Sequence, residues 1–426
     1  MKPVFGPGVK LDNERSRSFR APLTDLPTGS RLILPICPEA EEADWHILPE
    51  GKTVQRFDEI AVCQTQTRVV ETPATGTIGP SEILPLPGKG KYRCVWLNTG
   101  GASRQPNRTL NRSGKKKLLP AQILRAADAA GLVDEIDGRL LADKLRQFCE
   151  QGITMLVCDA VCDDPYNTDD LCALLEYTED IGDGLALAAA VCDVSDTRIV
   201  TARAAEAGFA TVRRLRKRLD VPLINVAGKY PIWPNLLRQK PFAGQKVGRI
   251  GAQVCKRLSR AARLSHPPRR VIVTVSGSAV REPQNFSVTI GTPLLEVLNQ
   301  CAIGSEGYRQ VAVHSAISGY SVSDPALVPV MQDTRCILAM SRFPLHAGVC
   351  IGCGRCSAVC PANVFPTAAV HAIQRGEAEK ARLYGADECI RCGACEVVCP
   401  ANLHIRELLC DSTALRMTDS WRNRSE

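Results

Sequence analysis

The sequence Cys350-Ile-Gly-Cys-Gly-Arg-Cys-Ser-Ala-Val-Cys-Pro361 is matched further along the chain by Cys389-Ile-Arg-Cys-Gly-Ala-Cys-Glu-Val-Val-Cys-Pro400. Each copy contains four cysteines at the spacing C-x-x-C-x-x-C-x-x-x-C and ends in a proline, which redirects the chain after the last cysteine. Glycines inside both copies suit a loop whose backbone amides must turn toward bound sulfur. Thiolates repeated at this spacing are metal ligands, so the sequence predicts a metal-binding unit from about His346 onward.

The spacing is that of the bacterial ferredoxin ligand run, in which three thiolates wrap one face of a 4Fe-4S cubane. The fourth cysteine of each run ligates the other cluster, and this exchange holds the two halves together. A pair of tetrahedral zinc sites is the alternative, but two complete four-cysteine runs favour iron–sulfur clusters. We therefore predict two 4Fe-4S clusters: cluster 1 held by Cys350, Cys353, Cys356 and Cys399, and cluster 2 held by Cys389, Cys392, Cys395 and Cys360.

The remaining cysteines indicate a reducing compartment. The chain has 426 residues and 20 cysteines, but Met1 to Asn13 lacks the apolar region of a secretory signal. Thiols that are not exported stay reduced, so irregularly spaced cysteines are expected to be buried apolar side chains. No stretch approaches the roughly 20 apolar residues that span a bilayer. We therefore expect a cytoplasmic protein without a transmembrane segment. The cysteines that come nearest to suggesting another metal site are Cys158, Cys162, Cys172 and Cys192.

Upstream of the cysteine runs the pattern of apolar residues changes twice, which predicts a multidomain α/β protein. Residues 1–100 are rich in proline and glycine between short β-branched runs, as in a unit of short strands. Residues 115–265 alternate helical and strand patterns, as in a layered α/β domain. Residues 269–335 contain a strand, a turn, a second strand and a helix, as in a small α+β unit. Between the cysteine runs, Ala368 to Tyr384 is predicted to be helical.

Positive charge is concentrated in a few runs. The formal net charge is +8, and the densest runs are Lys115 to Lys117 and Arg213 to Arg218. Neither run has interleaved aromatic residues or a recognisable nucleic-acid motif, so no nucleic acid is expected as a partner. Two interpretations remain: a solvated helix face, or a docking surface for an acidic electron carrier or an anionic membrane surface. The polar stretch Ala102 to Gly114 is predicted to be a linker or an exposed loop.

The order of these segments resembles the C subunit of the Rnf electron-transport complex and its relatives, including the cobalamin reductases of the propanediol pathway. Thr72-Pro-Ala-Thr-Gly-Thr-Ile78 is similar to an element of that family's barrel-sandwich hybrid domain. Val271-Ile-Val-Thr-Val-Ser-Gly277 is similar to its soluble-ligand-binding β-grasp (SLBB) domain. Tyr230-Pro231 and Asp164-Pro-Tyr166 look like parts of the domain that holds FMN and NADH in this family and in the flavin-bearing subunit of respiratory complex I.

The resemblance implies four domains over nearly the whole chain. They are an N-terminal barrel-sandwich domain (1–100), a flavin-subunit-like α/β domain (115–265), a β-grasp SLBB domain (269–335) and a C-terminal α-helical dicluster ferredoxin domain (346–412).

The flavin site departs from the family pattern. Where the family carries a glycine-rich A-G-I-V-G-x-G-G-A-G-F-P-T run, this chain has Ala130-Gly-Leu-Val-Asp-Glu-Ile-Asp-Gly-Arg139. Glycines let backbone amides approach a phosphate, whereas Asp134, Glu135 and Asp137 add bulk and negative charge. The sequence therefore disfavours FMN at the usual site.

The sequence supports three functional hypotheses. The first is a non-catalytic or weakly catalytic electron-transfer subunit with no assigned catalytic residue, whose clusters relay electrons between a redox donor and a partner enzyme or complex. The resemblance implies that this partner is a membrane-bound electron-transport complex. The chain would then lie peripherally on the cytoplasmic face of the membrane. The second is an NADH-dependent flavin and iron–sulfur reductase that still binds FMN. The third, a ligand-sensing or assembly module built around the β-grasp unit, leaves the paired cysteine runs without a purpose.

Overall fold

The computed structural model describes residues 2–12, 14–65, 68–100, 117–202, 215, 217–264, 269–305, 307–342 and 346–410. The predicted linker Ala102 to Gly114 lies outside the described residues, and so do Lys115, Lys116, Arg213, Arg214 and Arg216. The described residues form three units built on β-sheets and one helical unit. The predicted multidomain α/β architecture is confirmed.

The first β unit consists of two antiparallel sheets that face each other. Its strands are β3 (Arg31–Pro38), β4 (Trp45–Ile47), β5 (Thr53–Val54), β6 (Glu59–Cys63), β7 (Val69–Glu71), β8 (Gly76–Leu86) and β9 (Gly90–Thr99). One sheet has the order β3-β9-β8-β5 and the other the order β4-β6-β7. Leu34, Ile60 and Leu97 belong to the core shared by both sheets. Side chains alternate between the faces of a strand, so Ile33 and Trp96 pack on the opposite side.

The residues before this unit belong to other sheets, although the sequence pattern grouped residues 1–100 together. Strand β1 (Lys2–Pro3) pairs in parallel with β12 (Leu223–Ala227). Strand β2 (Thr24–Asp25) pairs in parallel with β15 (Gln284–Thr289). Both take up free edges, whose unpaired backbone groups need partners. A two-residue strand is too short to show a hydrophobic periodicity, so the pairing of β1 with β12 and of β2 with β15 has no signal in the sequence.

The second unit is a parallel sheet between two hydrophobic layers. Its elements are β1, β10 (Met155–Ala160), β11 (Asp196–Ala202), β12 and β13 (Val247–Gly251), with α2 (Pro120–Ala129), α3 (Leu141–Gln151), α4 (Asp169–Glu176), α5 (Thr178–Cys192), α6 (Ile232–Leu236) and α7 (Ala252–Leu264). The sheet order is β1-β12-β11-β10-β13. Every residue of β10 is buried, as expected for a central parallel strand. Leu156 packs in the core shared with α2, α3, α5 and α7, whereas Val157 packs with Trp233 and Phe242.

The third unit is a mixed sheet with one short helix. Its elements are β2, β14 (Arg270–Ser276), β15, α8 (Leu294–Leu298), β16 (Gln310–Val313), β17 (Tyr320–Val322) and β18 (Cys336–Met340). The sheet order is β17-β16-β18-β14-β15-β2. Val273, Phe286 and Ile337 form its core with Val297 of the helix.

The C-terminal unit is helical. Its helices are α9 (Arg355–Val359), α10 (Pro366–Gln374), α11 (Ala378–Leu383), α12 (Ala394–Val397) and α13 (Ile405–Cys410). The single helix predicted from Ala368 to Tyr384 is wrong, because Gly376 has a φ of 73° and separates α10 from α11. In the described part of the chain, we find no helix with the length and apolar character required to cross a bilayer.

Two glycines of α5 offer a matched test of the packing between α5 and α7. A Cβ added to Gly184 would lie 1.8 Å from the Cys255 carbonyl oxygen, whereas one added to Gly182 would meet only Leu219 Cδ2 at 3.8 Å. We expect Gly184→Ala to lower the free energy of unfolding by about 2 kcal/mol, because the two backbones must separate. Gly182→Ala should raise it by up to about 1 kcal/mol, because alanine favours a helix. Chemical denaturation measures both, and equal effects would contradict the close crossing.

Candidate metal centre

Cysteines from both runs meet at one cavity. Cys360, the last cysteine of the first run, lines it together with Cys389, Cys392 and Cys395 of the second run. The rest of the wall includes Val364 and other apolar residues. This is the arrangement that an exchange of the fourth ligand between the runs requires.

The two runs have the same backbone conformation at equivalent positions. Gly354 and Gly393, which precede α9 and α12, have φ values of 70° and 75°. Gly352 has a φ of 67°, and its counterpart in the second run is Arg391 at 57°. An arginine in this region is uncommon and is held there only by its surroundings. Left-handed residues turn consecutive amides toward one side, which suits an anionic sulfur centre.

Backbone amides point at the sulfur atoms. The Val364 amide donates to Cys360 Sγ at 3.3 Å. The amides of Arg391 and Ala394 act in the same way on Cys389 and Cys392. Such hydrogen bonds stabilise negative charge on sulfur and help set the potential of a bound cluster.

The thiols of Cys389, Cys392 and Cys395 are not activated nucleophiles. Burial raises the pKa of Cys392 to about 11, and the neighbouring Cys360 and Cys389 thiols add to the rise. Burial and Glu396 also raise the pKa of Cys395. A bound metal displaces such protons directly, because the ligand form of cysteine is the thiolate. The environment therefore disfavours a free thiolate nucleophile at Cys392 and Cys395.

The first run lies nearer the surface. The Gly348 amide donates to the Ala401 carbonyl at 2.7 Å, which brings the chain before Cys350 next to the chain after Cys399. Cys356 is buried, whereas Cys353 is exposed. Ile351, two residues before Cys353, is 70% exposed, so this end of the unit faces solvent.

The spacing of the sulfur atoms bears on the zinc alternative. In tetrahedral zinc sites the Zn–S distance is about 2.3 Å, which places the sulfur atoms about 3.8 Å apart. Within the described ranges, the one group of three potential ligands whose atoms lie within 4.8 Å of one another is Cys162 with Asp169 and Asp170. No three of the eight sulfur atoms of the two runs meet this distance in the described ranges.

The two carboxylates of the group at Cys162 share one cation that the protein itself supplies. Its two carboxylates are buried, and the Arg335 guanidinium lies 3.4 Å from Asp169 Oδ2 and also pairs with Asp170. Cys158, Cys162, Cys172 and Cys192 do not form one site, because Cys158 lies beside Cys255 and Cys192 beside Cys149. No local pattern pointed to Arg335, which comes from the β-grasp unit.

The second cysteine loop packs against the α/β unit. The Tyr230 hydroxyl, just after β12, donates to the Cys392 carbonyl at 2.7 Å. The Arg238 guanidinium donates to the Pro361 carbonyl at 3.0 Å. Both donors follow the carboxyl end of β12, the edge where parallel sheets usually place their functional groups.

The β-grasp unit touches the same loop. A Cβ added to Gly393 would lie 3.0 Å from the Ile317 carbonyl oxygen, so the two backbones are in close contact. The position of Ile317 depends on Asp164, whose Oδ2 accepts hydrogen bonds from Ser315 Oγ at 2.6 Å and from the Ala316 amide at 2.8 Å. The loop of Cys389 to Cys395 is therefore held by two other units, whereas the exposed Cys353 marks the outer end.

The segment that replaces the family's glycine-rich run fills an anion site with its own carboxylate. Glu135 Oε1 accepts from the Gln253 amide at 2.7 Å, and its Oε2 accepts from the Val254 amide at 3.0 Å and from Arg257 at 2.8 Å. The two amides belong to the first turn of α7, where an anion is favoured. Burial raises the pKa of Glu135, and the Arg257 guanidinium opposes the rise.

This arrangement leaves no room for a phosphate at the start of α7. Asp134 Oδ1 accepts from the Gly251 amide at 3.1 Å, and its other oxygen lies 2.7 Å from Lys144 Nζ. A Cβ added to Gly251 would be only 2.0 Å from Glu135 Oε1. The residues of this segment therefore do not fit an FMN phosphate here. The sequence predicted bulk and repulsion, but it could not reveal the partners Gln253 and Arg257.

Comparison with known proteins identifies two domains. The chain matches the 4Fe-4S dicluster domain over residues 345–400 and the SLBB domain over residues 272–312. Both domains were predicted, and both are confirmed.

The curated relatives are C subunits of oxidoreductase complexes. The chain is 27% identical over 412 residues to the C subunit of the ion-translocating oxidoreductase complex of Yersinia pestis bv. Antiqua (strain Antiqua), a match that covers 89% of this chain and 64% of that protein. It is 21% identical to the C subunit of the proton-translocating ferredoxin:NAD(+) oxidoreductase complex of Clostridium ljungdahlii, covering 86% of this chain and 84% of that protein. The predicted resemblance to Rnf-type C subunits is confirmed, although the chain spans less than two thirds of the Yersinia relative.

Among solved structures, the chain is similar to a chain of the NAD+-reducing [NiFe]-hydrogenase in the H2-reduced state. The TM-score is 0.46 at 15% identity, covering 72% of this chain and 62% of that chain.

The buried carboxylate of Glu135 can be tested against a half-exposed neighbour. We expect Glu135→Ala to lower the free energy of unfolding by about 3 kcal/mol, because it leaves the buried Arg257 guanidinium without its carboxylate counter-charge. Asp137→Ala is the control, because the Asp137 side chain is 34% exposed and Lys144 keeps its contact with Asp134. This variant should lose less than about 1 kcal/mol. Chemical denaturation measures the free energy of unfolding of both variants. Similar losses in the two would contradict a structural role specific to Glu135.

Proposed function

We propose that this chain is an iron–sulfur electron-transfer subunit, which holds two 4Fe-4S clusters and passes single electrons between a redox donor and a partner enzyme or complex. The observation that carries the proposal is the cavity that Cys360 shares with Cys389, Cys392 and Cys395. Joining one cysteine of the first run to three of the second is the ligand arrangement of two-cluster ferredoxins.

The proposed ligands follow from this exchange. All eight cysteines lie within the match to the dicluster domain. The amides of Val364, Arg391 and Ala394 support the choice of ligands around the shared cavity. Cluster 1 takes Cys350, Cys353, Cys356 and Cys399, and cluster 2 takes Cys389, Cys392, Cys395 and Cys360.

The two clusters have different surroundings, which suggests the route of the electron. Cluster 2 lies at the loop that contacts Tyr230 and Ile317 of the other units. Cluster 1 lies at the end where Cys353 and Ile351 are exposed. We propose that cluster 1 exchanges electrons with the partner protein, because transfer needs close approach and this is the more open of the two ends. Helix α9, which ends just before Cys360, connects the two ligand sets.

The partner is proposed from the relatives. Curated relatives are named as C subunits of ion- or proton-translocating oxidoreductase complexes. We propose that this chain likewise assembles with other subunits of an oxidoreductase complex, peripherally on the cytoplasmic face of a membrane.

The division into units at 1–100, 115–265, 269–335 and 346–412 remains a proposal. In it, the strands of the first unit start near Arg31, and residues 2–25 contribute strands to the other sheets.

We propose that no FMN is held at the start of α7, because Glu135 and Asp134 already satisfy its amides and Arg257. The second hypothesis, an NADH-dependent flavin reductase, requires a different flavin site. Anaerobically purified protein should release no flavin absorbance on denaturation, while its iron–sulfur absorbance is intact. Stoichiometric flavin would favour the reductase hypothesis.

Iron content tests the number of clusters and the ligand exchange together. Reconstituted protein should bind about eight irons, four for each cubane. Replacing Cys389 and Cys360 together by serine should remove one cluster and leave about four irons, because both ligate cluster 2. Replacing Cys389 and Cys399 together should disturb both clusters and leave close to none. The control is Cys301→Ser, a half-buried thiol outside the runs, which should keep the full content.

The outcome discriminates between the two ligand schemes. Without exchange, the Cys389 and Cys399 pair would belong to one cluster, and the results of the two double variants would be reversed. Zinc in place of iron would overturn the proposed function.

The Tyr230 hydroxyl should influence only cluster 2. Its partial positive charge near the Cys392 peptide stabilises the reduced cluster, so Tyr230→Phe should lower the midpoint potential of one cluster by on the order of 20–40 mV, the equivalent of one hydrogen bond. Iron content should not change. Tyr384→Phe is the control, because Tyr384 belongs to the C-terminal helical unit that holds the clusters and is exposed. Redox titration followed by electron paramagnetic resonance measures both clusters, and equal shifts in both would contradict the assignment of Tyr230 to cluster 2.

A further inference from the structure

A cleft of about 640 Å³ opens where three units meet, away from the cysteine runs. Its walls come from Leu34 to Pro38 of the first β unit, from the end of α2 and the start of α3, and from Met331 to Asp333 of the β-grasp unit. Small-molecule sites have volumes of about 300–1,000 Å³ and occur preferentially between domains. The cleft therefore has the size and location of a ligand site, and electron transfer through the clusters does not use it.

Much of the wall is apolar. Leu34, Ile36, Leu132 and Met331 line the cleft, and each of them is largely shielded from solvent. Trp45 also lines it, so an aromatic face is available. A ligand with a hydrocarbon or aromatic body would bury apolar surface here, which is the main source of affinity in such sites.

The cations of the cleft are already neutralised. Each lysine or arginine among its described lining residues has a carboxylate partner that lines it as well, so an anionic ligand would meet no unpaired positive charge from them. The pairs are Lys89 with Asp333 (2.6 Å), Arg146 with Asp143 (2.8 Å) and Arg68 with Glu41 (4.0 Å).

Glu71 is the carboxylate that remains without a cation among these lining residues. Its Oε2 is buried and has no hydrogen-bond partner in the described part of the chain. Burial raises the pKa of Glu71, and Glu59, which lies directly opposite on β6, raises it further. Like charges directly opposite in a sheet are destabilising, and a buried charge without a partner costs more. A cation supplied from outside the chain would relieve both costs.

We propose that this cleft binds a small organic amine, whose ammonium group pairs with Glu71 and whose apolar body lies against Ile36, Trp45 and Met331. The ligand is cationic at neutral pH and carries no phosphate or carboxylate. The site is separate from the start of α7, because Asp134 and Glu135 face α7 whereas Leu132 of the same segment faces the cleft.

The test uses the full-length protein and three fluorescent probes with the same dansyl body. Dansylcadaverine carries a terminal ammonium, N-pentyl dansylamide is its neutral analogue, and N-dansyl-6-aminohexanoate is its anionic analogue. Equilibrium dialysis gives the three dissociation constants. We expect dansylcadaverine to bind about ten-fold more tightly than the neutral probe, as one charge-assisted contact allows, and the anionic probe to bind most weakly. Equal affinities for the first two probes would overturn the proposal.

Two variants assign the preference to one side chain. Glu71→Gln should reduce the affinity for dansylcadaverine about ten-fold, to that of the neutral probe, and should not lower the midpoint of thermal unfolding, because an amide needs no counter-charge. Glu41→Gln removes a paired carboxylate from the same cleft and should change the affinity by less than about two-fold. Unchanged binding in Glu71→Gln would overturn the proposal. If either variant fails to fold, the comparison of the three probes on the unaltered chain still tests the proposal.

Discussion

The contact between the Tyr230 hydroxyl and the Cys392 carbonyl sets the relation of the cluster loop to the rest of the molecule. It joins the carboxyl edge of a parallel sheet to a loop that must also hold three thiols in place. Ile317 closes the other side of the same loop, and its position depends on Asp164 through Ser315. Three units therefore converge on one short segment. A loop fixed from both sides has little freedom to rearrange, which, under the proposed electron-transfer function, favours rapid transfer over chemical change at the cluster.

The start of α7 is an anion site that the chain occupies with its own carboxylate. Amides at a helix start and the Arg257 guanidinium remain oriented for an anion, but Glu135 from the chain itself now satisfies them. A buried ion pair contributes little net stability, because desolvation offsets the attraction, yet removing one partner is costly. The Glu135 carboxylate is therefore structural, and Arg257, which it binds, also connects α7 to the β-grasp unit through the Gln332 carbonyl.

The sequence predicted the features that depend on local spacing. The two cysteine runs, the strands around Val273 and Phe286 and the helix Leu294–Leu298 all have periodicities or fixed separations that a short window contains. Prediction failed where the partner is remote: Lys2 pairs with Val226, and Arg335 with Asp169. Neither pair has a local signal, because a surface edge strand and a buried guanidinium look ordinary in sequence. The acidic segment at Glu135 was an intermediate case, since its charge was visible but its role as a ligand for α7 was not.

The unequal covering of the two cysteine groups has a consequence for handling the protein in air. Cys353 is exposed and its neighbour Ile351 is 70% exposed, whereas the second loop is covered by Tyr230 and Ile317. Dioxygen and chelators reach sulfur and iron by diffusion, so damage should begin at the open end and proceed inward. With the two proposed clusters bound, a sample left in air would pass through a form that keeps cluster 2 and has lost cluster 1. Under the proposed electron route, such material would still be coloured but could no longer transfer electrons to a partner.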